Sequence, residues 1–211
     1  MKLVFLGATE GVTGSNTYVE HDDLKFIVDC GLYQGSKESE NENSKEFNFD
    51  PSSLNFVLLT HSHIDHIGRL PYLVKNGFNG KIYCTKPTKE FAGIFLEDTC
   101  NLMTERAEED NKQPLYDQSD VDKTVSLIEA FDYYEEIKPS GNLNIKFHDA
   151  GHILGSAIVE IKFDEKSILF SGDLGNPPVP ILKDTDFIEA DYVVMESTYG
   201  NRTHENPESR Q

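Results

Sequence analysis

The sequence predicts an α/β (α+β) fold in which strand ends carry the chemistry. Three observations predict it. Apolar runs of strand length, such as Phe26-Ile27-Val28 and Phe56-Val57-Leu58-Leu59, recur along the chain between Gly, Asp and Ser. Two longer stretches, residues 88–109 and the one opening at Ser119, carry apolar residues at helical spacing. The strand-like runs empty into loops rich in Gly, His and Asp, above all Thr60-His61-Ser62-His63-Ile64-Asp65-His66-Ile67-Gly68.

In chain order, residues 3–7 read as a first strand. A Gly- and Thr-rich loop over residues 7–16 follows. It lacks the Gly-Lys-Ser/Thr ending of a phosphate-binding loop and no helical pattern follows it, so that reading is set aside. Residues 18–20 and 24–29 make two more strands, with His21-Asp22-Asp23 as the hairpin turn. Asp29 closes a buried run, where an unpaired charge would be costly. Either it caps the turn before Gly31 or it has a partner elsewhere. Residues 34–50, rich in Ser, Glu and Asn, predict an exposed loop whose acidic side chains have no specific role.

The strand at residues 56–59 then leads into the His-rich loop. Residues 67–74 continue it as a short helical pattern despite Pro71. Lys81-Ile82-Tyr83-Cys84 is a short strand. Residues 88–109 predict a long helix with Phe91, Phe95, Leu96, Thr99 and Met103 on one stripe, which suits core packing better than a cofactor. Ser119-Asp120-Val121-Asp122 reads as a capping box opening a second helix, with Val121, Val125, Ile128 and Phe131 inward. Residues 143–147 alternate as a strand. The loop Ala150-Gly151-His152-Ile153-Leu154-Gly155-Ser156 holds a lone His between glycines. Residues 157–163 and 166–170 form a hairpin ending in Ser171-Gly172-Asp173-Leu174-Gly175. Residues 191–195 predict a further buried strand, delivering Glu196-Ser197-Thr198-Tyr199-Gly200. The polar residues 201–211 are expected to be disordered.

Length and composition bound the function. The 211 residues suffice for one domain with a sizeable core, and 37% hydrophobic with 27% charged residues is the balance of a soluble globular chain. No apolar run reaches membrane-spanning length, and the first apolar run is too short for a signal peptide. Cys30, Cys84 and Cys100 are widely spaced and odd in number, which fits a reducing cytoplasm rather than a disulfide framework. The net charge of −18 repels phosphate backbones at long range, so this chain alone is expected to bind nucleic acid poorly.

The chemistry concentrates in the His-rich loop. Three of the seven histidines and one carboxylate fall within six residues. Imidazole is the commonest side-chain ligand for zinc-like metals, and a carboxylate adds a hard oxygen. His61 and His63 can converge on one metal from a turn, while Asp65 and His66, further round, can face a second. A solvated polar loop is the bland alternative, but it does not account for such a density of imidazoles. His21 and His148 read as non-ligands.

His-x-His-x-Asp-His at a strand end resembles the signature of the metallo-β-lactamase family. The resemblance implies an αββα sandwich with every strand-end loop along one edge. It also implies two Zn2+, His61, His63 and His152 binding one and Asp65, His66 and a bridging Asp173 the other, with Asp29 orienting the loop from behind. The stretches around His152, Asp173 and Glu196-Ser197-Thr198-Tyr199-Gly200-Asn201-Arg202 look like the β-CASP branch, the RNA-processing nucleases. That branch implies RNA phosphodiester cleavage by a dizinc-activated hydroxide, with Asp65 orienting the hydroxide and Glu196 supporting a general-acid histidine.

The resemblance runs from about residue 3 to about residue 204. The branch's general-acid histidine and last metal-ligand histidine lie in later segments, and His204 sits too close to Glu196 to replace them. The chain is therefore expected to be the N-terminal portion of a metallo-β-lactamase-like domain over residues 1–200, with 201–211 opening an insertion. Its second metal site and its cleavage are expected to be weak in this span alone. Strand edges left unpaired would favour a homodimer. Two rivals stand beside this reading: a thioester or lactam hydrolase of the same fold, against which the Glu196-Ser197-Thr198-Tyr199-Gly200 stretch argues, and a non-catalytic partner subunit, which the full set of expected ligands argues against.

Overall fold

The computed structural model describes residues 1–139, 142–176 and 181–201. The expected disordered tail from residue 202 on, with Arg202 and His204, lies outside the described residues.

Two sheets pack face to face. The first runs in the order β1 (Lys2–Phe5), β2 (Thr17–His21), β3 (Leu24–Val28), β4 (Phe56–Leu58), β5 (Lys81–Thr85) and β6 (Ile128–Phe131). Its first three strands form an antiparallel meander, and β3 to β6 are parallel. The second sheet has the order β10 (Tyr192–Val194), β9 (Lys166–Phe170), β8 (Ala157–Phe163) and β7 (Asn144–Asp149), antiparallel except for β9–β10.

The continuous apolar run of β4 follows from its place in the middle. Phe56 and Leu58 point into the core between the sheets, with Phe26, Phe147 and Val159. Val57 and Leu59 point the other way, into a core shared with Ile67, Leu70, Leu96 and Val121 of the helices. A strand buried on both faces needs apolar side chains at every position. Each such side chain, fully buried, stabilises the fold by about 1.5–3 kcal/mol.

Parallel neighbours require crossovers, and the helices supply them. Helices α2 (Ile64–Ile67) and α3 (Leu70–Lys75) connect β4 to β5, and α4 (Lys86–Glu109) and α5 (Gln118–Leu127) connect β5 to β6. Among the described residues the outer face of the second sheet carries no helix. Ala150, Ile158 and Leu169 on that face are covered instead by Leu174, Ile188 and Ala190 of a non-helical segment.

Four local expectations need correction. Residues 34–50 are not simply an exposed loop. Helix α1 (Lys37–Asn41) and a 3-10 turn (Glu42–Ser44) lead to Phe47 and Phe49, which pack on the helix-side core. Arg69 lies over the Phe47 ring at 4.4 Å and donates to the Lys45 carbonyl at 2.7 Å, fastening the segment.

The buried stripe of α4 is Thr88, Ala92, Leu96, Cys100 and Ala107, rotated from the aromatic stripe; Phe95 and Met103 are only partly buried.

The capping box of α5 is Asp117 with Asp120, and the helix ends at Leu127. Ile128 and Phe131 belong to β6, where they pair with Ile82 and Thr85.

Tyr192 and Val193 of β10 are exposed rather than buried, because β10 is the last strand of its sheet among the described residues.

Candidate metal centre

Three separated segments meet where the two sheets open on one edge. The first, residues 60–68, leaves β4 and turns into α2. It is stitched to the end of β3 by backbone bonds: Cys30 N donates to His66 O at 2.7 Å, Leu32 N to Ile64 O at 3.0 Å and Arg69 N to Cys30 O at 2.9 Å. Ser15 N adds a bond to Asp65 O at 2.8 Å. Gly31 is required here, since a Cβ at that position would collide with the Asp65 carbonyl.

The second segment carries His152. The Thr85 and Thr88 hydroxyls donate to Gly155 O at 2.6 and 2.8 Å, tying the loop to the N-terminus of α4. His152 N and Ile153 N donate to Ser156 Oγ at 3.1 and 3.2 Å. The third segment follows β9. Gly172 takes φ +54, and a Cβ there would lie 2.6 Å from Thr60 Cβ. That close approach presses the Asp173 turn onto the His-rich loop.

The side chains converge. His61 Nε2 lies 3.0 Å from His63 Nδ1, and His152 Nε2 lies 3.2 Å from the same atom. Asp173 Oδ2 is 3.8 Å from His61 Nε2 and 3.6 Å from His152 Nε2. These four ligand atoms all lie within 4.8 Å of one another, among the described residues. A tetrahedral ion with bonds near 2.0–2.1 Å would hold its ligand atoms about 3.3 Å apart, so the observed spacing fits such an ion. On the other side of Asp173, Oδ1 lies 3.3 Å from His66 Nε2, and Asp65 Oδ2 lies 3.8 Å from that nitrogen. The structure therefore brings together all six expected residues, with Asp173 shared between two groups.

The electrostatics suit a cation. Burial, with His66, His63 and His152 nearby, holds His61 well below the usual imidazole range, and burial and His152 lower His63. Burial would also lower His66, but Asp29 and Asp173 override it and raise that ring. Burial would raise Asp173, but the His66 bond and the other imidazoles hold it low. Burial raises Asp65. Four clustered imidazoles and two carboxylates, mostly out of water, form a donor set that a metal ion satisfies better than protons do.

The remaining predicted residues fall as follows. Asp29 does more than cap a turn: Oδ1 accepts from Thr60 N and Oδ2 from Thr60 Oγ1, both at 2.8 Å. Its Oδ2 also lies 2.7 Å from His66 Nδ1. Glu196 bonds to the Asp173 turn. Its Oε1 accepts from Leu174 N at 2.6 Å, and its N donates to Ser171 Oγ at 3.1 Å, bracketing the Asp173 turn. Glu196, Asp173, His66 and Asp29 line one cavity of about 630 Å3. His148 pairs with Glu160 at 2.9 Å and His21 lies against Phe163, both apart from the cluster. Cys30, Cys84 and Cys100 are free and buried. Sequence reasoning passed over Thr60, although it stands directly before His61.

Fold and cluster together define a candidate metal centre, and comparison with known proteins places the chain in a family. The metallo-beta-lactamase superfamily domain matches residues 18–197, and the chain belongs to this family. A ribonuclease of Thermus thermophilus is 37% identical over 205 residues, spanning 97% of this chain and 45% of the relative. An RNase J-like protein of Methanocaldococcus jannaschii is 33% identical over 201 residues, spanning 94% of this chain and 43% of the relative. These relatives bear out the resemblance to the β-CASP RNA-processing branch. The chain spans less than half the length of either. Among solved structures, a metallo-beta-lactamase from Cronobacter sakazakii, a HARLDQ-motif mutant, matches with TM-score 0.51 at 16% identity. That match spans 80% of this chain and 61% of the other and is a likeness of fold. No helix among the described residues is long and apolar enough to cross a membrane.

Proposed function

We propose that the chain holds the metal centre of a hydrolase that cleaves RNA phosphodiester bonds in the full protein. The convergence of His61, His63, His152 and Asp173 from three separate segments carries this reading, in a chain whose relatives are named ribonucleases. His61, His63 and His152 would hold one zinc ion and Asp65 and His66 a second, with Asp173 offering Oδ2 to the first group and Oδ1 to the other. When bound, such ions supply Lewis acidity, lowering the pKa of water and neutralising charge on phosphoryl oxygens.

The chain's own residues do the rest. The imidazoles and Asp173 fix the centre, and His66 and Asp173 also line the cavity. Asp65, partly exposed beside His66, accepts a hydrogen bond from the attacking water and so aims it. Glu196 serves from behind, through the Leu174 N–H, rather than by touching substrate. Residues 1–200 form the metallo-β-lactamase-like domain in this reading. The three free buried cysteines support a cytoplasmic setting. The exposed edge strand β10 supports self-association into a homodimer. The net charge of −18 means that RNA is held by features other than the overall field of this chain.

The experiment is an assay of the full protein on end-labelled RNA, with and without a chelator, beside a chromogenic lactam and a thioester. Chelator-sensitive RNA cleavage that Asp65→Ala reduces by orders of magnitude is expected. Turnover of the lactam or thioester with none of RNA would overturn the assignment of substrate.

A further inference from the structure

Thr60 is 1% exposed and sits at the centre of the brace behind the cluster. Its Oγ1 lies 2.8 Å from Asp29 Oδ2, 3.0 Å from His61 Nδ1 and 3.4 Å from His66 Nδ1. A hydroxyl has one hydrogen to give and two lone pairs to receive with. An ionised carboxylate can only accept, so the Thr60 hydrogen goes to Asp29. Thr60 Oγ1 is then an acceptor toward His61, and Nδ1 of His61 must bring the hydrogen. A neutral imidazole carries one N–H, so Nε2 is left with a bare lone pair. That Nε2 is the atom 3.0 Å from His63 Nδ1 and 3.8 Å from Asp173 Oδ2.

His66 reaches the same carboxylate oxygen without a relay, Nδ1 to Oδ2 at 2.7 Å, which leaves its Nε2 for the Asp65 and Asp173 side. Thr60 cannot swing away. Its N donates to Asp29 Oδ1 at 2.8 Å, its carbonyl accepts from Ala157 N at 2.7 Å, and Gly172 packs so near its β-branched side chain that a Cβ added there would lie 2.6 Å from Thr60 Cβ.

We infer that Thr60 is a positioning residue, whose hydroxyl relays Asp29 to His61 and fixes that ring with Nδ1 protonated and Nε2 free to bind a cation. One carboxylate thereby sets two imidazoles, one directly and one through a hydroxyl. The purpose assigned to this arrangement rests on the reading of His61 as a metal ligand; the ring's tautomer does not.

The test uses the protein labelled with 15N-histidine, stripped of metal, near neutral pH, with two-bond proton–nitrogen correlations reporting each ring. His61 should show Nδ1–H and bare Nε2 in the wild type and in Thr60→Ser. Thr60→Val, which keeps the shape and loses the hydroxyl, should lose that preference and bind Zn2+ about 10–100-fold more weakly, the usual penalty for removing an outer partner of a metal-ligating His. Thr60→Ser should bind Zn2+ close to wild type, a rescue that a merely space-filling role would not need.

An Nε2–H form of His61 in the wild type would overturn the proposal, and that spectrum decides even if Thr60→Val does not fold. Unchanged tautomer and unchanged Zn2+ affinity in a folded Thr60→Val would overturn it too. A wild type that binds no Zn2+ would overturn the metal reading instead, and the His61 tautomer would still decide the relay.

Discussion

His66 Nδ1 lies 2.7 Å from Asp29 Oδ2, with both residues buried. This contact joins the His-rich loop after β4 to the end of β3. Asp29 makes it from φ +61, a left-handed conformation that is uncommon for a residue other than glycine. Such strain persists where the surroundings over-determine it. Here they do, because the same carboxylate also accepts the Thr60 N–H and hydroxyl. Each bond to a charged group of this kind is worth about 1.5–3 kcal/mol.

Asp29→Asn keeps the shape but turns one acceptor oxygen into a donor facing donors. We expect a loss of about 3–5 kcal/mol, as when one partner of a buried pair is removed. Zn2+ affinity should fall by about 10–100-fold. Urea unfolding and competition with a chelator check the two effects. Wild-type values in both would mean that Asp29 does not brace the loop.

Gly172→Ala tests the contact between the two sheets. The position has φ +54, and the added methyl meets Thr60 Cβ at 2.6 Å. We expect a stability loss of about 1–3 kcal/mol, the scale of a strained backbone site. Weaker Zn2+ binding should accompany it, since Asp173 moves with the turn. An unchanged melting temperature would contradict the close packing.

Glu196 separates positioning from chemistry. Its Oε1 accepts the Leu174 N–H. Glu196→Gln can keep that bond and should retain most of the Zn2+ affinity. Glu196→Ala leaves the N–H without its partner, and we expect a loss of about 1–3 kcal/mol. Metal affinity should fall with it. Equal damage from both substitutions would show that the carboxylate charge, not the acceptor, matters.

Glu160 gives a pH dependence away from the cluster. It is buried, with Oε2 2.9 Å from His148 Nε2 and Oε1 3.1 Å from Lys162 Nζ. Burial would raise its pKa, but the bonds to His148 and Lys162 hold it below the ordinary value of 4.5. A carboxyl with a depressed folded pKa contributes stability that is fully present above the unfolded pKa. That contribution fades as pH falls through the folded one. Melting temperature should therefore drop more steeply below pH 4.5 in wild type than in Glu160→Gln. Parallel curves would contradict the assignment.

Much of the candidate site was legible in the sequence because His and Asp gathered at strand ends stand out by residue type. His61, His63 and His66 are conspicuous by spacing, and His152 and Asp173 by their glycine neighbours. Asp29 was legible as a charge ending an apolar run. Thr60 was not, because one threonine carries no periodic signal and its role depends on partners 31 positions away. The strands of both sheets were legible where one face or both are buried. Residues 34–50 were misread because two aromatic anchors, Phe47 and Phe49, are too few to form a pattern. Ile128 and Phe131 were drawn into a helix because residues three apart share a helix face, whereas in β6 they point to opposite faces, Ile128 into the helix-side core and Phe131 into the core between the sheets. β10 looked buried because its composition is apolar, and composition does not say that a strand lies at an edge.

The most direct test of the central claim is anomalous diffraction at the zinc edge from crystals of the protein grown with Zn2+. The account predicts a peak enclosed by His61, His63, His152 and Asp173, and a second beside Asp65 and His66 on the far side of Asp173. Crystals whose zinc peaks all lie elsewhere, with His152 turned away from His61 and His63, would contradict it.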